Sequence, residues 1–189
     1  AVIQHALDAA PDYATVFVAP GIYYAANTTT DTVASVFGKV ALRSLEGGAS
    51  TLISAYRSPR LTRRPLAVAH AEAYVSGFSL TNGWDNSKQW RGTIVDLRAG
   101  VVEDCIIPHG DFMWVGVDVD LRGSGCLRDC ILDGKVPPQG LFEEGTSHRI
   151  YIAGNGVVEN CLIRFDGTGD VVGGITPVRT AIRATIISI

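Results

Sequence analysis

Neither sign of charge dominates this sequence: 16 lysines and arginines face 19 acidic residues, for a net charge of −3. Without a basic stripe it lacks the electrostatic footprint of a nucleic-acid-binding protein. No apolar run reaches the roughly 18 residues that a membrane-crossing helix needs, so no transmembrane segment is expected. A signal peptide is also missing, and the chain opens at Ala1 without methionine and closes at Ile189 inside an apolar, strand-like run. These features predict a segment cut from a longer protein, with targeting information outside it. Phosphate-loop chemistry is excluded as well, because Gly167-Thr-Gly-Asp-Val-Val-Gly-Gly174 has neither the lysine nor the strand-to-helix context. The four histidines show no metal-ligand spacing. His5 is expected to be solvated on a helix, His70 to be packed or hydrogen-bonded in a strand, and His109 and His148 to lie in loops.

Cysteine is scarce, and its placement reveals the organisation. Three of the four cysteines occupy one position of a repeated stretch, Gly100-Val-Val-Glu-Asp-Cys-Ile-Ile-Pro108, Gly125-Cys-Leu-Arg-Asp-Cys-Ile-Leu-Asp133 and Gly156-Val-Val-Glu-Asn-Cys-Leu-Ile-Arg164. Fainter copies are Ala73 to Thr81 and Thr180 to Ser188. Aligned on Phe78, Cys105, Cys130, Cys161 and Thr185, the steps are 27, 25, 31 and 24 residues. A period of this size is the signature of a solenoid. Between the copies there is no helical period, and the asparagine of a leucine-rich repeat is missing, which leaves a β-solenoid.

Stacked by columns, the copies predict their own packing. Val75, Val102, Leu127, Val158 and Ile182 form one apolar column, and Leu80, Ile107, Leu132, Ile163 and Ile187 another. The cysteine column lies between them, so its thiols are expected to be free and buried. In-register neighbours on parallel strands point the same way, a poor geometry for a disulfide. Ahead of each cysteine, Gly77, Asp104, Asp129, Asn160 and Ala184 suit a bend. One residue earlier, Ser76, Glu103, Arg128, Glu159 and Arg183 alternate in sign and can pair between coils, each pair contributing about 0.2–1 kcal/mol. The column after the cysteine, Ser79, Ile106, Ile131, Leu162 and Ile186, should face solvent yet is aliphatic; either something covers it or the alternation breaks at the bend.

At the start, Val2, Ile3, Ala6, Leu7 and Ala10 recur at helical spacing, with Gln4, His5 and Asp8 opposite, up to Pro11. Thr15 to Tyr24 then reads as strand, Pro20-Gly21 turn, strand. Such a helix is expected to cap the open end of the solenoid. One domain over 1–189 follows, with the cap at about 1–12 and coils from about 13 to 189.

The opening Val2-Ile-Gln-His-Ala-Leu-Asp-Ala-Ala10, the segment Thr15-Val-Phe-Val-Ala-Pro-Gly-Ile-Tyr23 and the Val-Glu-Asn-Cys-Leu-Ile rungs resemble right-handed parallel β-helix proteins of the pectate lyase-like superfamily. The resemblance covers nearly the whole chain. It implies an all-β, right-handed parallel β-helix with a short N-terminal capping helix. That superfamily spans lyases, hydrolases, esterases, epimerases and proteins without known activity, and none of its catalytic motifs is found here to carry over. It implies a secreted or cell-surface location and polysaccharide or glycan as partner.

Candidate chemistry sits after the rungs. The insertions 82–92, 108–116, 133–149 and 164–174 hold Trp84, Trp90 and Trp114, with Phe112, Phe142, Asp111, Glu143, Glu144 and Asp166. The rings serve either a saccharide groove or the cover of the aliphatic column. In the strands that follow, registering Leu97, Leu121 and Ile152 places Asp96, Asp120 and Tyr151 in one outward column and Asp118 and Arg149 in the next. Catalytic roles are assigned on this basis to Asp96, Asp118, Asp120 and Arg149. Substrate-binding roles go to Tyr151, Trp84, Trp90, Trp114 and His148. In the resembling enzymes this sheet bears the active site. The three carboxylates suit an acid/base pair or Ca²⁺, or are simply a solvated strand face. Asp96 stacked on Asp120 needs compensation, from Arg98, Arg122, Arg149 or a cation. Two functions remain open: a lyase or glycoside hydrolase that binds and cleaves polysaccharide, and a non-catalytic structural or adhesive module.

Overall fold

The computed structural model describes residues 2–24, 32–55, 64–81, 91–108, 115–133, 148–165, 172–173 and 181–188. After helix α1 (Val2–Ala9), the chain winds in coils of three strands. The first coil is β1 (Thr15–Val18), β2 (Gly21–Tyr24) and β3 (Thr32–Val36); the second is β4 (Ala41–Ser44), β5 (Thr51–Ser54) and β6 (Arg64–Val68). Next come β7 (Tyr74–Ser76), β8 (Ser79–Thr81) and β9 (Arg91–Leu97), then β10 (Val101–Glu103), β11 (Ile106–Pro108) and β12 (Val115–Gly123). The following coil is β13 (Cys126–Arg128), β14 (Ile131–Asp133) and β15 (His148–Gly154). It leads to β16 (Val157–Phe165), β17 (Val172–Gly173) and β18 (Ala181–Ser188). Every described pairing is parallel, and each strand pairs with its counterpart one coil on.

Two rows of short strands, β1-β4-β7-β10-β13 and β2-β5-β8-β11-β14, join through the long β16 into one bent sheet, while β3-β6-β9-β12-β15-β17 forms the second sheet. The bend is made by the predicted residues. Asp104, Asp129 and Asn160 have φ of 52°, 52° and 51°, and Gly77 has 78°. Aspartate and asparagine tolerate this left-handed region better than other side chains do. Their backbone N–H groups reach the next coil: Gly77 donates to the Glu103 carbonyl at 3.3 Å, Asp104 to Arg128 at 3.3 Å and Asp129 to Glu159 at 3.1 Å. Asn160 also donates its amide to the Asp129 carboxylate.

The columns form the core. Val75, Val102, Leu127 and Val158 are in register and fully buried, as are Leu80, Ile107, Leu132 and Ile163. Each such side chain contributes about 1.5–3 kcal/mol relative to exposure. Phe78 and the cysteines Cys105, Cys130 and Cys161 fill the space between, and all four cysteines are free. The thiols have a second use at the bend. Each donates to the carbonyl two residues earlier, Glu103 at 3.3 Å, Arg128 at 3.2 Å and Glu159 at 3.3 Å. The neighbouring thiols of Cys105 and then Cys161, together with burial, hold Cys130 well above the ordinary cysteine range, and burial pushes the half-buried Cys126 up. A thiol reagent applied to the native protein is therefore expected to react slowly, at Cys126 alone, and with all four cysteines after denaturation. Rapid native titration of the three stacked thiols would contradict this packing.

One alignment is corrected. Ile182 and Arg183 pair with Val158 and Glu159 as expected, but the register then slips, and Cys161 faces Ala184, Leu162 faces Thr185 and Ile163 faces Ile186. Thr185 and Ile187 therefore leave the columns assigned to them. The β18 stretch is one residue shorter through the corner, where Ala184 follows Arg183 with no counterpart of Asn160.

The charged column behaves as predicted at Glu103, which accepts from Arg128 Nη2 at 2.7 Å. It also accepts from the Tyr74 hydroxyl at 2.6 Å, and Tyr74 first, then Arg128, holds its carboxyl below the usual range. The aliphatic column keeps its alternation. Ile106 and Leu162 are half-buried and Ile131 is 38 % exposed. Part of it is covered by the turn after β4, where a Cβ on Gly48 would lie 3.4 Å from Ile106 Cδ1.

The cap is α1. Ile3 and Leu7, one turn apart, are buried against the first coil. Gln4, expected on the solvent side, instead treats the open edge of the second sheet as a strand would: Ser35 N–H donates to its Oε1 at 2.8 Å and its Nε2 donates to the Ser35 carbonyl at 3.3 Å. An unpaired edge is thereby closed. His5 is exposed, and His70 lies just beyond β6, its Nδ1 accepting from Glu72 N–H at 3.1 Å. No described helix is long and apolar enough to cross a membrane.

Candidate functional site

The second sheet carries the candidate residues in the register expected. Leu121 faces Leu97 and Ile152, and Asp120 faces Asp96 and Tyr151. Val117 and Val119 pair with His148 and Ile150, so Asp118 stands level with Arg149. His148 is thus the first residue of β15 rather than part of a loop. Trp84, Trp90, Trp114 and His109 lie outside the described residues, as do Asp111, Phe112, Phe142, Glu143, Glu144 and Asp166. Their insertions are each anchored between the end of a second-row strand and the start of a second-sheet strand.

Period two sends Asp96, Asp118 and Asp120 to the face away from the core, but that face is not the solvated one that alternation suggests. Asp96 is 4 % exposed and Asp118 0 %, and Ile94, level with Asp118 on β9, is also buried. Asp120 and Tyr151 are half-buried. A carboxylate can be placed where water is excluded only if other groups replace its hydration.

Guanidinium groups do so at Asp96 and Asp120. Arg98 donates from Nε to Asp96 Oδ1 at 3.1 Å and from Nη2 to Oδ2 at 2.9 Å. Arg122 repeats the fork on Asp120, at 2.8 and 2.6 Å. Each pair is two residues apart, Asp120 and Arg122 on one face of β12 and Arg98 directly after the end of β9. Arg64 of β6 also donates from Nη1 to Asp96 Oδ2. Like therefore stacks on like between coils, with Asp120 neutralised by its near neighbour Arg122 and Asp96 by both Arg98 and, from the adjacent coil, Arg64. Hydrogen bonds and charge from Asp96 and Asp120 raise Arg98 and Arg122 further above their ordinary range. Arg98 and Arg122 were among the predicted compensators. Arg64 was missed, and no local spacing marks it, since its strand meets β9 at Ala67 rather than beside its own position.

These forks bear on Ca²⁺. A calcium ion takes six to eight oxygen ligands, several of them carboxylate. Both oxygens of Asp96 and of Asp120 are already occupied by fixed cations, and among the described residues no group of three or more histidines, cysteines or carboxylates is placed to hold a metal. Among the described residues, the donor set does not fit Ca²⁺ at this face.

No protein-family model and no curated protein matches the chain. Solved structures do. Pectin methylesterase from Aspergillus niger in its deglycosylated form superposes with a TM-score of 0.58 at 13 % identity, over 97 % of this chain and 62 % of that one. The likeness is one of fold. It identifies the coil stack as a right-handed parallel β-helix, the fold of that enzyme. This chain spans less than two thirds of that enzyme's length. The same enzyme in a penultimately deglycosylated form, which keeps an N-acetylglucosamine stub, gives 0.48 at 11 % identity, over 97 % and 81 % of the two chains. Pectin methylesterase from carrot gives 0.44 at 12 %, over 97 % and 78 %.

Proposed function

We propose that this chain is a polysaccharide-acting β-helix, secreted or held at the cell surface, whose saccharide site is the outer face of β9, β12 and β15. The observation that supports it most is the gathering of Asp96, Asp118 and Asp120 beside Tyr151 and Arg149 on one face, in a coil stack like that of a pectin methylesterase. Asp118 and Asp120 are two residues apart on β12, about 7 Å along the strand. That spacing is of the size used by inverting glycosidases, in which one carboxyl protonates the leaving oxygen and the other activates water. In this reading Asp120, the more accessible, activates water and Arg122 orients it; Asp118 is the proton donor. Asp96 completes the carboxylate face, while Arg149 neutralises charge on the substrate. Tyr151, Trp84, Trp90 and Trp114 bind the saccharide; His148, in register with Val117, takes the opposite parity and has no role on this face.

The test is a panel of polyuronates and neutral polysaccharides, with and without calcium, read for chain cleavage, together with methylated pectin read for ester hydrolysis. On whichever substrate turns over, Asp118→Asn/Asp120→Asn is expected to lower kcat by about 100-fold or more, the size of a lost acid–base pair, with the circular dichroism spectrum unchanged. Retained turnover would remove these residues from the chemistry. A second reading, a non-catalytic structural or adhesive module, draws support from the Arg98 and Arg122 forks, which are also the geometry of purely structural ion pairs. It predicts no cleavage or ester hydrolysis across the panel.

A further inference from the structure

The exposed large apolar side chains among the described residues are concentrated at one end: Tyr13, Phe17, Ile22, Tyr24, Phe37 and Leu45 all precede β5, and Ile131 alone lies elsewhere. Of these, Tyr13 is 72 % exposed and Phe17 61 %, and both belong to the outer side of the first row. Tyr13 sits in a turn closed by the Ala14 N–H on the Pro11 carbonyl at 3.1 Å, with φ of 65°. A bulky residue in that region costs energy that glycine would not, so the ring is placed there against the backbone's preference. It is also fixed. Tyr13 N–H donates to the Lys39 carbonyl at 2.6 Å, and Lys39 Nζ donates to the phenolic oxygen at 3.2 Å. Lys39 Nζ also lies over the ring, 5.1 Å from its centroid, and the remainder of the ring is exposed.

Other rings share this side. Phe17 is on β1, two residues beyond Thr15, and Tyr74 on β7 is in register with Ala41 and Thr15, about 10 Å across the sheet from Thr15. Arg43 rests over the Tyr74 ring at 4.5 Å. The charges on this side are matched: Lys39 lies 4.0 Å from Asp12, and Arg43 and Arg128 are set against Glu103, which takes hydrogen bonds from Tyr74 and Arg128. A balanced face gives no attraction to a polyanion or to a basic protein. Aromatic rings between polar groups complement a ligand with apolar C–H faces and many hydroxyls.

We infer that the outer side of β1, β4 and β7, built on the exposed rings of Tyr13 and Phe17, is a second saccharide-binding surface, for an uncharged oligosaccharide. It is separate from the carboxylate face of the second sheet and does not depend on turnover there. Calorimetric titration with cello-, xylo- and mannohexaose, and with polygalacturonate for comparison, tests it on the whole chain and on Tyr13→Gly and Phe17→Ser variants. At least one uncharged hexaose is expected to bind, and Tyr13→Gly to weaken it tenfold or more. The urea midpoint of that variant should be unchanged or higher, because glycine relieves the positive φ. Phe17→Ser should weaken the same ligand, and Asp118→Asn should leave it alone. The inference is overturned if no uncharged hexaose binds at millimolar concentration, if Tyr13→Gly binds like the parent, or if polygalacturonate is the ligand lost. Conversion of a dimer to a monomer by Tyr13→Gly in sedimentation would also overturn it, by making this side an interface between copies.

Discussion

Gly100→Ala is expected to lower the unfolding free energy by about 3–5 kcal/mol, the sum of a strained φ and an overlap that cannot relax. Gly100 has φ of 79°, and a Cβ there would lie 2.6 Å from both the Ala73 and His70 carbonyl oxygens. These are not side chains that can swing away. The Ala73 carbonyl accepts the Val101 N–H at 2.9 Å and the His70 carbonyl accepts the Ala73 N–H at 3.0 Å, so moving either breaks the junction between successive coils. Gly47 separates the two contributions. Its φ is 81°, but a Cβ would meet nothing within 4 Å. Gly47→Ala should therefore show the left-handed penalty alone, about 1–2 kcal/mol. Urea unfolding of both variants is the measurement. Equal losses would mean that the Gly100 corner yields and that the coil junction is softer than its hydrogen bonds suggest.

The same corner shows what a single sequence conveys about this fold. Column stacking made the core legible, because Val102, Leu127 and Val158 repeat at one rung position and a parallel ladder without insertions leaves little freedom of register. The second-sheet alignment of Leu97, Leu121 and Ile152 was legible for the same reason. Ala184 carried an unread warning. The bend column otherwise holds glycine, aspartate and asparagine, and alanine is disfavoured at the positive φ they adopt, so the register slips there. The stacked Gly123-Ser-Gly125 and Gly154-Asn-Gly156 turns were equally visible as a spaced pair. Their reason was not, since only the structure shows Leu121 where a Gly156 side chain would go. Parity along a strand tells which face a residue takes but not what lies over that face. That is why Asp96 and Asp118 read as solvated and are in fact buried. Gln4 was misplaced for a related reason: helical period identifies the apolar side of α1 but not a sheet edge whose backbone groups need partners.

Removing both cations from Asp96, in an Arg64→Met/Arg98→Met variant, should cost about 3–5 kcal/mol, the penalty for stranding a buried charge. Asp96 accepts two hydrogen bonds from Arg98 and one from Arg64, and only 4 % of it reaches solvent, so water cannot replace what is lost. Each single replacement should cost much less than half as much, because the remaining guanidinium still pairs with the carboxylate. The cycle is thus expected to be strongly non-additive. Adding Asp96→Asn to the double variant should recover most of the loss, since a neutral amide needs no counter-charge. The parallel experiment at Asp120 gives the contrast that matters for function. Asp120 is half-buried and Arg122 is exposed, so Arg122→Met should cost about 1 kcal/mol or less. In the proposed reaction the same change should lower turnover, because Arg122 orients the carboxylate that activates water. Large stability loss at Asp96 with little at Asp120, and the reverse order for turnover, would assign the first fork to the scaffold and the second to the site. Equal stability effects at the two forks would show that burial does not distinguish them, and the division of roles along this face would fall.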